Sequence, residues 1–262
     1  MATDQYTVLG KAPGSDELKK LSQSNVYLTI KKLSAGYGKM EILHDFNLFV
    51  SEAQSLCLIG PNGAGKSTIL HSIYGFTNIF SGQIEIDGKE ITKMTPAQKL
   101  KSVGVAYILQ DNSVFPDMTV EENLLMGGYI KDKTEDSYQE AEKLLEFIGL
   151  YQKRKLRAGD LSFGQQKLLE LAMALMNEPK MLLLDEPTAG INPALINGII
   201  NRLIKVNKEF GITLLVIEHN MRVIMNLAQK IFCLAHGELL AEGSPEQIKN
   251  DKRVINAYLG AQ

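Results

Sequence analysis

The chain has 262 residues, 45% hydrophobic and 22% charged; this fits a globular protein and excludes collagen-like, disulfide-scaffold and wholly disordered chains. Its 28 basic and 30 acidic residues leave a formal charge of −2, so no global basic field exists to hold a nucleic acid. Cys57 and Cys233 lie in apolar runs and read as buried thiols rather than a disulfide or a metal site. No apolar stretch approaches the ~20 residues of a membrane span, and the polar start is unlike a secretory signal. The chain is expected to span nothing, while remaining free to sit against a membrane protein.

Residues 1–24 read as a polar, flexible tail with one short helix at 16–21. From Val26, the alternation of Val26, Leu28 and Ile30 predicts a half-buried strand, and 46–50 alternates likewise. The run 55–60 is apolar without alternation, as a strand buried on both faces requires. A glycine-rich turn and a helix over 67–73 follow, then a hairpin over 82–91 turning at Asp87-Gly88. A buried strand over 103–109 ends at Gln110, and 120–175 reads as helical, with Ala141, Leu144, Leu145 and Ile148 on one face. Buried strands at 181–185 and 212–218, helices near 194–209 and 220–229, and a closing hairpin from 230 to 241 complete the pattern. Alternating strands and helices predict an α/β fold with a parallel sheet.

Gly60-Pro61-Asn62-Gly63-Ala64-Gly65-Lys66-Ser67 fits G-x-x-x-x-G-K-[ST] between a buried strand and a helix. Such a loop points backbone N–H groups at phosphate oxygens, and the helix N-terminus adds partial positive charge. Lys66 places an ammonium on the β/γ oxygens, and Ser67 offers a hydroxyl to Mg²⁺. Asp185 ends an apolar strand where open sheets bind ligands and suits the Mg²⁺ shell; Glu186, which nothing apolar requires, is a candidate general base for water. His219 ends the next strand and is assigned to the γ-phosphate; Gln110 occupies the same kind of position and suits Mg²⁺ or a water. His44, His71 and His236 are left as structural. Ser162 and Gln165 form a capping box before a helical run, and Gly164 keeps an N–H available for an anion. Two phosphate-type motifs in one chain imply that they meet across a dimer.

These residues, in this order, resemble the nucleotide-binding subunits of ABC transporters from Val26 to the C-terminus. The resemblance identifies Gly60 to Thr68 as the Walker A loop, Gln110 as the Q-loop residue, and Leu161 to Gln165 as the signature. It also gives Met181–Asp185 as the Walker B strand, Glu186 as the carboxylate after it, and His219 as the switch histidine. Tyr37 matches the aromatic that stacks on adenine. Met118 to Gly128, Ala189 to Pro193, Ile217 to Met221 and the ending Ala257 to Gly260 are most similar to branched-chain amino-acid (Liv-type) import ATPases. Urea importers and the lipopolysaccharide-export ATPase are similar at this level. Phe163 stands where the commonest signature has glycine, and Asn192 replaces the usual aspartate of the D-loop.

The resemblance implies a P-loop NTPase over 25–262: a RecA-like core, an antiparallel β subdomain and a helical signature subdomain at about 110–176. It implies ATP and Mg²⁺ as cofactors, with Ser67, Gln110 and Asp185 toward the metal. Two copies, or this chain and a similar ATPase, would sandwich ATP on transmembrane permease subunits, peripheral on the inner face of the cell membrane. Phe115, Pro116 and Met118 are candidates for the permease socket. A soluble ABC-type ATPase of a non-transport assembly and a P-loop kinase are the readings set against it.

Overall fold

The computed structural model describes residues 26–111, 113–128 and 135–259. The proposed tail and its short helix, and Gly260, lie outside them. A six-stranded sheet runs in the order β10 (Glu238–Gly243), β9 (Lys230–Ala235), β3 (Ser55–Ile59), β8 (Thr213–Ile217), β7 (Met181–Asp185), β6 (Val105–Ile108). All neighbours are parallel except β10 on β9. A four-stranded antiparallel sheet has the order β2 (Met40–Ser51), β1 (Val26–Tyr37), β4 (Asn78–Ile86), β5 (Lys89–Glu90).

Strand alternation separates two cores. Cys57 and Ile59, Leu182 and Leu184, and Leu214 and Val216 enter one cluster, shared with the helices of residues 120–175. Their neighbours Leu56 and Leu58, Met181 and Leu183, and Leu215 and Ile217 enter the other, shared with the antiparallel sheet. Unbroken apolar strands are therefore what the middle layer of this stack demands. Each buried Leu or Ile contributes about 1.5–3 kcal/mol over its exposed state.

Helix α1 is Lys66–Tyr74. The predicted strand over 103–109 begins instead at Val105, because Val103 ends a helix, α2 (Pro96–Val103), that periodicity did not show. Thr95 and Gln98 close its capping box, at 2.9 and 3.3 Å. Gly104 ends it at φ +66°, donating to Leu100 O.

The predicted helical stretch 120–175 is interrupted. α3 (Val120–Gly127) and α4 (Glu135–Ile148) are followed by two short 3₁₀ turns before α5 (Phe163–Leu175). Gly149, at φ +77°, stops α4, with Gly149 N–H on Glu146 O and Leu150 N–H on Leu145 O, the paired bonds of a Schellman cap. Ala141, Leu144, Leu145 and Ile148 are buried on one face, as the spacing requires. α6 (Pro193–Lys208) and α7 (Met221–Leu227) match the sequence reading closely. Two helices follow the closing hairpin, α8 (Pro245–Lys249) and α9 (Lys252–Leu259). Ser244 and Gln247 cap α8 as Thr95 and Gln98 cap α2.

Candidate active site

Because β3, β6, β7 and β8 are parallel, their C-terminal ends share one edge of the sheet. That edge collects the loop at 60–65, Gln110, Asp185 with Glu186, and His219. Gly60 has φ +144°, and a Cβ there would lie 2.2 Å from Leu234 O, so only glycine lets the loop cross β9. Gly65, at φ +96°, forms the left-handed N-cap of α1.

Lys66 is buried, its Nζ donating to Gly60 O at 2.8 Å and Pro61 O at 3.0 Å. Burial lowers its pKa, while the nearby Glu186 and Asp185 carboxylates oppose the shift. Asp185 is buried and its pKa raised, chiefly by desolvation, against hydrogen bonds from Tyr107 and Ser67. The Tyr107 hydroxyl donates to Asp185 Oδ2 at 3.2 Å, and its own pKa is pushed far up by burial and by that carboxylate. Tyr107 was not singled out from sequence.

Glu186 follows at φ +49°, a left-handed conformation that costs a non-glycine residue roughly 1–3 kcal/mol. Its N–H donates to Ile217 O at 3.0 Å, extending the β7–β8 register. Its side chain is held from two sides: Gln110 Nε2 donates to Oε2 at 3.1 Å, and His219 Nε2 lies 3.0 Å from Oε1. The structure thus gathers Gln110, Glu186 and His219 into one hydrogen-bonded set, from loops after three different strands.

Tyr37 stands at the rim, 40% exposed, its hydroxyl bonded to His71 Nδ1 and to the Thr68 side chain. His71 packs edge-on against Tyr37 and Phe76 and tilted against Tyr107, in an aromatic group near the Asp185 carboxylate. It bonds the rim aromatic and feels the charge of the strand-end carboxylate.

The signature is carried elsewhere. Gln165 Oε1 accepts from Ser162 N–H at 3.1 Å and from Lys153 Nζ at 3.2 Å. Gly164 is buried, and a Cβ there would sit 3.3 Å from Leu195 Cδ1. A buried polar link from α5 reaches the sheet edge. Lys167 Nζ donates to Gln110 O at 2.9 Å and to Glu170 Oε2 at 2.9 Å, and Glu170 Oε1 accepts from Ser113 N–H. Both side chains are more than nine-tenths buried. The sequence reading took α5 as a capped apolar helix and missed this pair.

The loop and the mostly parallel sheet define a P-loop NTPase. A family model described as "ABC transporter" matches residues 43–189, and one described as "Branched-chain amino acid ATP-binding cassette transporter" matches 238–262. The chain belongs to the ABC transporter family. It is 37% identical over 235 residues to the high-affinity branched-chain amino acid transport ATP-binding protein BraG of Pseudomonas aeruginosa, covering 89% of this chain and 99% of that one. It is 36% identical to the probable branched-chain amino acid transport ATP-binding protein LivG of Methanocaldococcus jannaschii, over 86% of this chain and 93% of that one. An ATP-binding cassette of an ABC transporter in its ADP conformation superposes with a TM-score of 0.82 at 32% identity, covering 90% of this chain and 100% of that one. The protein is accordingly a transporter ATPase that binds and hydrolyses ATP. No helix among the described residues is long and apolar enough to cross a membrane.

Proposed function

We propose that this chain powers the import of branched-chain amino acids or a similar small solute, by hydrolysing ATP at the sheet edge while docked on permease subunits. The carrying observation is Glu186 held between Gln110 and His219, beside Lys66, Ser67 and Asp185. The match over 238–262 and the named functions of the relatives support the solute class over the lipopolysaccharide-export and non-transport readings.

In this reading, the N–H groups of Gly60, Pro61-flanked Asn62, Gly63, Ala64, Gly65, Lys66, Ser67 and Thr68 cradle the phosphates, and the Lys66 ammonium leaves its loop carbonyls for the β/γ oxygens. The donor set fits Mg²⁺: the Ser67 hydroxyl is hydrogen-bonded to the Asp185 carboxylate, so hard oxygen ligands already converge, and Gln110 adds an amide oxygen. Mg²⁺, when bound there, neutralises charge on the β/γ oxygens. Glu186 takes up the proton of an attacking water, and His219 bonds the transferred phosphoryl group. Catalysis is mainly positioning and electrostatics. Tyr37 turns from His71 to stack on the base.

The signature residues Ser162, Gly164 and Gln165 then serve the nucleotide of a second ABC subunit, identical or similar. Residues 25–262 form one ATPase domain whose helical subdomain spans about 110–176, peripheral on the inner membrane face. Phe115, nearly half exposed, forms the permease contact with Pro116 and Met118. The test is reconstitution in liposomes with the cognate permeases: leucine uptake driven by internal ATP supports the proposal, and ATP hydrolysis without uptake of any branched-chain amino acid refutes the solute class.

A further inference from the structure

Glu218 is the buried carboxylate at this edge that the scheme above does not use. It is 2% exposed, and among the described residues it makes no ion pair. Its charge is met by four donors, divided by loop. Oε1 accepts from Thr188 Oγ1 at 2.6 Å and from Thr188 N–H at 3.2 Å. Oε2 accepts from His219 N–H at 3.1 Å and from Asn220 N–H at 3.2 Å. One oxygen therefore serves the loop after β7, which leads to Asn192, and the other serves the loop after β8, which carries His219. A buried carboxylate is tolerated when several N–H and O–H groups bond its charged form. Such a group couples its donors, because losing either pair leaves it short of partners in a dry setting.

We propose that Glu218 is a positioning residue that clips these two loops together, so that His219 stays on Glu186 only while Thr188 holds its place. This rests on the roles proposed above for Glu186 and His219. The loop running from Thr188 to Asn192 and the histidine then move as a unit, and whatever displaces Asn192 also reaches the hydrolytic carboxylate.

The test uses the full chain in two measurements. The first is the imidazole ¹⁵N spectrum of His219 without nucleotide, assigned by loss of the signal in H219A. The hydrogen-bonded Nε2 signal of the wild-type protein should disappear in Glu218→Gln and in Thr188→Val, and return in Thr188→Ser, which keeps the hydroxyl. Thr188→Val removes one bond, so it reports even if Glu218→Gln folds poorly. The second is steady-state ATP hydrolysis. Both variants should lower kcat about tenfold with KM changed less than about twofold, as expected when one well-placed hydrogen bond is lost. The double variant with H219A should be no slower than H219A alone. An unchanged His219 signal in both variants, or losses that add to that of H219A, overturns the clip. Full turnover in H219A instead defeats the role given to His219, and the spectra still decide the clip.

Discussion

The sheet edge and the start of α5 both carry phosphate-type motifs, yet they are built differently. At the edge, Lys66, Ser67, Asp185, Glu186, Gln110 and His219 are tied to one another or to their own loops by bonds within the chain. At the start of α5, Ser162 and Gln165 bond to each other and to Lys153, and Gly164 is packed against Leu195. A buried pair, Lys167 and Glu170, links the two regions by gripping the backbone of Gln110 and Ser113, and the Phe163 ring lies against Gly190 in the loop after β7. The sheet edge is thus the self-sufficient half, its polar side chains bonded to one another, while the polar groups at the start of α5 bond within their own turn and to Lys153.

The largest expected effect breaks the self-sufficient half. Glu186→Gln should cut steady-state hydrolysis by about 10²–10⁴-fold while nucleotide still binds; near-wild-type phosphate release would remove Glu186 from the base role. The connection comes next. Lys167→Met leaves Glu170 buried without its cation, which should cost about 3–5 kcal/mol in chemical denaturation, whereas Lys167→Met with Glu170→Leu should recover most of it. Equal losses in the single and double variants would contradict a coupled pair.

Lys66→Ala should weaken ATP by about 1.5–3 kcal/mol, a Kd raised roughly 10- to 100-fold in calorimetry. Ser162→Ala should leave that monomer affinity in place, which sharpens the contrast; equal loss in both would erase it. The smallest effect comes from a position outside both regions. Lys99 is fully buried, its Nζ has no hydrogen-bond partner among the described residues, and its pKa is pushed down to about 8 by burial. The unfolded chain therefore binds the proton more tightly, so stability should rise as pH climbs from about 8 toward the ordinary lysine value. Lys99→Met should flatten that rise and add about 1–2 kcal/mol at neutral pH; an unchanged pH profile would show that Lys99 is not its source.

Much of this was legible in sequence, for identifiable reasons. The middle sheet could be read because burial on both faces forces unbroken apolar strands. The phosphate loop could be read because the chemistry demands glycines, a lysine and a hydroxyl at fixed spacing. Gln110, Asp185, Glu186 and His219 were visible as polar residues at strand ends. What escaped notice depends on partners far along the chain. Tyr107 acquires its role from Asp185, 78 positions away, and Glu218 from Thr188, 30 positions away. Two local signals were present but unread: Thr95-Pro96 with Gln98, and Ser244-Pro245 with Gln247, each announce a helix start. The break at Gly149 lay inside a stretch whose helical periodicity resumes on the far side.

Asn123 carries a mechanical consequence. It is fully buried on α3, and its side chain accepts from Phe115 N–H at 2.7 Å while donating to Phe115 O, Met118 O and Thr119 O. Those bonds rivet the segment ahead of the helix to the helix itself. α3 in turn packs on α5, so the Phe115 segment and the helix that begins at Phe163 are joined through α3.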